Sequence, residues 1–138
     1  RIANGVDTGR VNMLCAVLSR RAGLAIQDQD VYVNVTGGVR VEEPAADLGV
    51  ALAIASAMRD KPVGKGTACF GEVGLTGDVR YVAGGPRRTS EMAKMGFGRI
   101  TRPESTSDGP EQTDGRTRRE ASVVEVSTLE EAVAVALL

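Results

Sequence analysis

Enzymatic chemistry needs side chains that can attack, move protons or hold a metal, and this chain lacks the most versatile of them: there is no histidine among its 138 residues. Ser-His-Asp and Cys-His nucleophile systems and the usual zinc sites are thereby excluded. Catalysis would have to rest on lysine, carboxylate or backbone groups. The lysines are Lys61, Lys65 and Lys94. Cys15 and Cys69 lie far apart in apolar surroundings without a C-x-x-C spacing, so both read as reduced core residues. Glycines 37, 38, 71, 74 and 77 do not match G-x-x-x-x-G-K-[ST], and Gly84-Gly85-Pro86 is not followed by Lys-Ser/Thr. They read as bulges and turns, not as a phosphate cradle.

The second kind of chemistry is electrostatic. Net charge is −1, so the chain as a whole has no general attraction for polyanions. Its distribution is uneven: residues 1–78 carry 8 basic and 9 acidic side chains, residues 79–103 carry 6 and 1, and residues 104–138 carry 3 and 8. The basic block holds Arg80, Arg87, Arg88, Lys94, Arg99 and Arg102. Arg87, Arg88 and Lys94 fall on one helix surface with only Glu91 to offset them, which suits either a DNA backbone or plain solvation. Stacking partners for bases are few, since the chain holds two tyrosines, two phenylalanines and no tryptophan.

The elements that must position these groups follow from periodicity. Asp7 or Thr8 caps a helix with Val11, Leu14, Cys15, Leu18 and Ala22 on one face, stopped at Gly23. Val31, Val33 and Val35 alternate with polar residues in a strand, with a bulge or turn at Gly37-Gly38 before 39–41 resumes it. Pro44 opens a second helix over residues 45–59, apolar nearly all round and therefore central and buried. Asp47 falls in its first turn, where a helix dipole favours an acid. Residues 67–74 and 78–82 form a hairpin turning near Gly77. A third helix covers 86–95 and a short strand covers 97–101. Residues 103–119, rich in Ser, Thr, Asp, Gly and Pro, form an exposed loop. A last strand at 122–126 leads to a helix capped by Ser127 or Thr128. The fold class is mixed α/β, a single domain over 1–138 with enough apolar residues for its own core.

Three stretches resemble a known family. Val33-Asn34-Val35-Thr36-Gly37-Gly38-Val39-Arg40 followed by Glu43-Pro44-Ala45-Ala46-Asp47-Leu48-Gly49 is similar to the Lon segment that ends in the nucleophilic serine. Phe70-Gly71-Glu72-Val73-Gly74-Leu75-Thr76-Gly77-Asp78-Val79-Arg80 is similar to the glycine-rich hairpin of the same family. Arg87-Arg88, Glu91, Ala93-Lys94 and Gly96-Phe97 resemble the helix after it. Together these identify the chain as resembling the C-terminal Lon-protease-like domain of RadA/Sms DNA-repair proteins, a fold also met in a ribosomal protein domain.

A Lon peptidase pairs a serine at the start of the central helix with a lysine deprotonated by its surroundings. The resemblance places Asp47 at the serine position and Pro86 at the lysine position. A carboxylate is a poor nucleophile towards an amide, proline has no base, and Arg87 beside it stays protonated. The resemblance therefore implies a non-enzymatic chain that keeps a vestigial cleft, with Asp47 at its floor and 84–87 beside it. It further implies a homohexameric ring, sequence-independent contact with single-stranded or branched DNA, RecA recombinase as a partner, no membrane, and a cytoplasmic location. DNA would be met through Arg80, Arg87, Arg88, Lys94 and Arg99. The family's ATP, Mg and Zn belong to a RecA-like ATPase core and a zinc finger whose motifs are not in these residues, so no cofactor is expected here. The start at Arg1 fits a piece of a longer protein. Two other readings stay open: a surviving Ser-Lys peptidase using Ser56 with Lys61, Lys65 or Lys94, and a stand-alone nucleic-acid-binding module of the same superfamily.

Overall fold

A computed structural model of the chain describes residues 1–104 and 121–137. Asp7 caps α1 (Thr8–Arg21), its carboxylate accepting from the Arg10 amide at 2.9 Å. The expected face of α1 is buried: Val11, Leu14, Cys15, Val17 and Leu18 are each at most 3% exposed. Each such aliphatic side chain withdrawn from water contributes on the order of 2 kcal/mol, an upper bound for a chain already partly collapsed when unfolded. That face packs on α2 (Asp47–Arg59) and on α4 (Leu129–Ala136). Thr128 caps α4, accepting from the Glu131 amide at 3.1 Å, with Glu130 and Glu131 in the first turn as the dipole favours.

Two sheets flank the helices. One is a parallel pair, β1 (Ile2–Asn4) with β2 (Tyr32–Asn34). The other is a parallel three-stranded sheet in the order β3 (Thr67–Cys69), β6 (Arg99–Pro103), β7 (Ser122–Val126). Between β3 and β6 in sequence lies a small antiparallel hairpin of β4 (Glu72–Val73) and β5 (Val79–Arg80). The larger sheet is covered on both faces. Val124 and Val126 join the main core with α1, α2 and α4, while Phe70, Ile100 and Ala121 pack with Ala93 of α3 (Gly85–Lys94) on the other side.

Several boundaries differ from the periodicity. The strand β1 was not expected, because three residues, Ile2, Ala3 and Asn4, carry too little pattern to announce themselves. Its shortness limits β2 as well: only Tyr32, Val33 and Asn34 stand in register with it, flanked by bonds to Val31 O and from Val35 N–H. The glycines that read as a bulge form instead a tight 3₁₀ turn at Thr36–Gly38, with φ of +81° at Gly37 and +70° at Gly38. Residues 39–41 resume pairing only as the single bridge between Val41 and Val6. A 3₁₀ turn at Pro44–Ala46 precedes α2, so the α-helix proper starts at Asp47.

The long hairpin expected over 67–82 is also corrected. Thr67–Cys69 pairs with β6, and only Glu72–Val73 turns back on Val79–Arg80. The break comes at Gly71, where φ is +155° and an added Cβ would meet Val79 Cγ1 at 2.8 Å. Its backbone is used elsewhere: Gly71 N–H donates to Ala45 O at 2.8 Å, and Leu48 N–H donates to Gly71 O at 3.1 Å. Those two bonds stitch the strand crossing to the start of α2. The loop expected over 103–119 lies, after its first two residues, outside the described residues; Pro103 is still in β6 and buried.

Candidate functional site

The start of α2 is where three elements converge. Asp47 occupies the first turn of the helix and is 2% exposed, so its carboxylate must find partners or pay a large desolvation cost. It finds three donors. Arg10, reaching across from α1, donates from Nε to one carboxylate oxygen and from Nη2 to the other. Val73 N–H, from β4, donates to Oδ2 at 3.1 Å. The fork of a guanidinium matches a carboxylate bidentately, and such charge-assisted bonds are the strong ones. Glu72 Oε1 stands 3.9 Å from Arg10 Nη2 and adds a second negative neighbour. The bond to Asp47 raises the Arg10 pKa above its already high value, against the opposing effect of burial. Arg10 is thus held as a cation and offers no proton acceptor.

A cavity of about 230 Å³ opens beside this pair, with Val6, Arg10, Val41, Glu43, Asp47 and Val50 among its walls. Asp47 lines it, whereas residues 84–87, expected beside it, are not among its walls. The connection to α3 runs instead through one ion pair, in which Arg88 Nη2 donates to Glu43 Oε1 at 2.9 Å and Nη1 to Oε2 at 3.3 Å. That contact with Arg88 holds the Glu43 carboxyl below its ordinary range and raises Arg88. Pro86 sits half-buried in the first turn of α3, after Gly84 with φ of +76°.

Most of the basic residues singled out from the sequence are engaged by partners within the chain. Arg80 pairs with Asp78 at 2.6 Å on the hairpin, which lowers the Asp78 carboxyl together with a bond from Thr76 and raises Arg80. Arg88 is committed to Glu43. Lys94 stands 3.9 Å from Glu91 on the same helix. Arg99 donates from Nη2 to Val135 O at 2.9 Å, at the end of α4. Arg102 is 4% exposed and donates to Thr89 Oγ1 at 2.9 Å and to Glu125 at 3.2 Å, so it braces β6 against α3 and β7. Arg87 is exposed and makes no ion pair among the described residues.

Ser56, the alternative nucleophile, lies near the other end of α2. Its Oγ donates to Lys61 O at 2.6 Å, so what it meets is the carbonyl of that lysine. The two cysteines are free thiols. Burial raises Cys15 and pushes Cys69 up to about 11. Among the described residues no group of three or more His, Cys, Asp or Glu could hold a metal, and no helix is long and apolar enough to cross a membrane.

Sequence reasoning missed Arg10 and Glu43 as site residues. For Arg10 a signal existed: it shares the core face of α1 with Leu14, Val17 and Leu18 at i, i+4, i+7 and i+8, and a cation at a core position calls for a buried acid. For Glu43 there was none, because its partner is 45 residues away.

The fold and this site place the chain in a class. Residues 15–138 match the Lon protease (S16) C-terminal proteolytic domain, and the chain belongs to that family. Within it, the similar proteins are DNA repair proteins named RadA. The one from Halalkalibacterium halodurans is 43% identical over 140 residues, covering 99% of this chain and 29% of that protein. The one from Listeria monocytogenes is 44% identical over 138 residues with the same shares. The one from Bacillus subtilis is 48% identical over 109 residues, 79% of this chain and 24% of that protein. The chain thus spans less than a third of the length of these relatives.

Proposed function

We propose that this chain is a non-catalytic assembly and DNA-contacting domain of a RadA-type DNA repair protein. The observation that carries the reading is the state of Asp47. Where the family's resemblance puts a nucleophile, there is a buried carboxylate whose two oxygens are both engaged by Arg10 and the Val73 amide. A group fixed in that way braces three elements and attacks nothing. The Lon-type dyad also needs a neutral amine next to the nucleophile, and the side chain that faces Asp47 is a guanidinium.

The DNA part of the reading is supported by the outward face of α3, where Arg87 and Lys94 are exposed, and by the repair function in the relatives' names. Phosphate contact there is electrostatic and therefore sequence-independent. Assembly into a ring, of six subunits by resemblance to the family, has a physical route in the opposed blocks of net +5 over 79–103 and net −5 over 104–138. In the same reading, ATP, Mg and Zn chemistry and any partnership with RecA recombinase rest on residues other than these, and the location is cytoplasmic.

The test couples two measurements. Fluorogenic peptide and casein assays, with and without DNA, are expected to give no hydrolysis. Binding of single-stranded and branched DNA across a salt series is expected to show log affinity falling with log salt at a slope of roughly −2 to −3 per subunit. Peptide hydrolysis abolished by Ser56→Ala would replace this reading with the peptidase one.

A further inference from the structure

A groove of about 720 Å³ beside α1 is walled by Arg1, Asn12, Ala16, Ser19, Arg20 and Gln27, with Leu75 from the β4–β5 turn at its rim. No carboxylate lines it. Arg20 is exposed and makes no ion pair among the described residues. Arg1 spends two donors on the backbone carbonyls of Gln29 and Ile26, which fixes the guanidinium in place, and it makes no ion pair among the described residues. Close by, Arg59 Nη2 donates to Ala22 O, and the stem of Arg21 packs under Gly77, which has φ of +86° and would place a Cβ 2.9 Å from Arg21 Cγ. Arg1 and Arg20 thus line the groove itself, while Arg21 and Arg59 stand at the C-terminal end of α1 outside its lining. On α3 and the hairpin, by contrast, Arg80, Arg88 and Lys94 each face a carboxylate.

We propose that this α1 groove is a second nucleic-acid contact, taking the sugar-phosphate backbone of a single strand. The inference rests on the reading that the domain contacts DNA, and adds where a strand lies. Asn12, Ala16 and Arg20 stand at i, i+4 and i+8 on one helix face, spanning about 12 Å. That is the rise of about three nucleotides stacked as in a duplex strand. The small side chains of Ala16 and Ser19 let a backbone approach closely. Arg1 and Arg20 supply fork-shaped donors for phosphate oxygens. Asn12 and Gln27 carry amides that both donate and accept, and Leu75, 76% exposed, offers an apolar edge to a base. A single strand fits such a groove better than a duplex, whose bases are already stacked and turned away.

The chain has no tryptophan, so Leu75→Trp installs a lone fluorophore at the rim. Titrating that variant with an oligo(dT) of about 20 nucleotides should quench it in a salt-dependent way. Arg20→Glu in the same background should weaken binding about tenfold and make the salt slope shallower by about one. Arg87→Ala provides the comparison on α3. Binding that responds to Arg87→Ala and is indifferent to Arg20→Glu overturns the α1 groove and leaves the DNA reading intact. Absence of any oligo(dT) binding by the unaltered chain overturns both. Quenching by poly-glutamate as strong as by oligo(dT), and equally lost in Arg20→Glu, would assign the groove to an acidic polypeptide instead.

Discussion

Arg10 and Asp47, 37 residues apart, form a bidentate ion pair in which a cation from the first turn of α1 closes on an acid at the start of α2. Asp47 is 2% exposed while the Arg10 side chain keeps 31% of its exposure. The pair is therefore half solvated, and its worth lies between that of a surface and a buried bridge. Arg10→Ala leaves the carboxylate with only the Val73 amide, and is expected to destabilise the fold by about 2 kcal/mol. Urea titration of Arg10→Ala, Asp47→Ala and the double variant forms a cycle. A coupling below about 0.5 kcal/mol would mean that the two residues merely lie close together.

Restoring the family's nucleophile should not restore chemistry. Asp47→Ser places a hydroxyl where the serine of a Lon peptidase is expected, but Arg10 remains a cation and Pro86 supplies no amine. No hydrolysis of fluorogenic peptides above the buffer rate is expected. Measurable turnover would show that a base is available at this site after all.

On α3 the residues should not contribute equally. Arg87 has no ion pair among the described residues, whereas Arg88 is held by Glu43. Arg87→Ala is expected to lower DNA affinity more than Arg88→Ala, while Arg88→Ala should cost more in thermal stability. A salt series with both single variants checks the order. Equal slopes for wild type and Arg87→Ala would reduce that face to solvated surface.

The same pair makes stability depend on pH in a defined direction. Contact with Arg88 lowers the Glu43 carboxyl, and Arg80 and Thr76 lower that of Asp78. A carboxyl depressed on folding stabilises the fold above its unfolded pKa of about 4, and that contribution disappears as pH falls through the lower folded value. Thermal melts should therefore weaken below about pH 4. Glu43→Gln should flatten part of that dependence. Unchanged curves for Glu43→Gln would mean the pair is too well solvated to matter.

Gly71→Ala should be among the most damaging single changes. The new methyl would press on Val79 at the point where the strand crossing is stitched to α2, and a loss of about 1–3 kcal/mol is expected from overpacking and backbone strain together. A melt within error of wild type would place the strain elsewhere.

What the sequence determined by itself was local. Period 3.6 marked the buried face of α1, the caps of α1 and α4 were narrowed to Asp7 or Thr8 and to Ser127 or Thr128, and Pro44 marked the approach to α2 to within a turn, because each signal lies within one or two turns of chain. Residues 33–49 and 70–80 carried the family in the same way, as short stretches with fixed glycines. The tertiary structure alone decided the partners. Thr67–Cys69 reads as one arm of a hairpin until β6 arrives, some 30 residues later, to take its backbone bonds. Six cations between 79 and 103 read as a basic segment, three of them on one helix surface, until folding hands Arg80 to Asp78, Arg88 to Glu43, Arg99 to the end of α4 and Arg102 to the interior. The identity of a charged residue fixes that it needs an opposite charge or water. Which of these it receives depends on elements distant in sequence, and so Arg10 and Asp47 meet only when α1 has packed across α2.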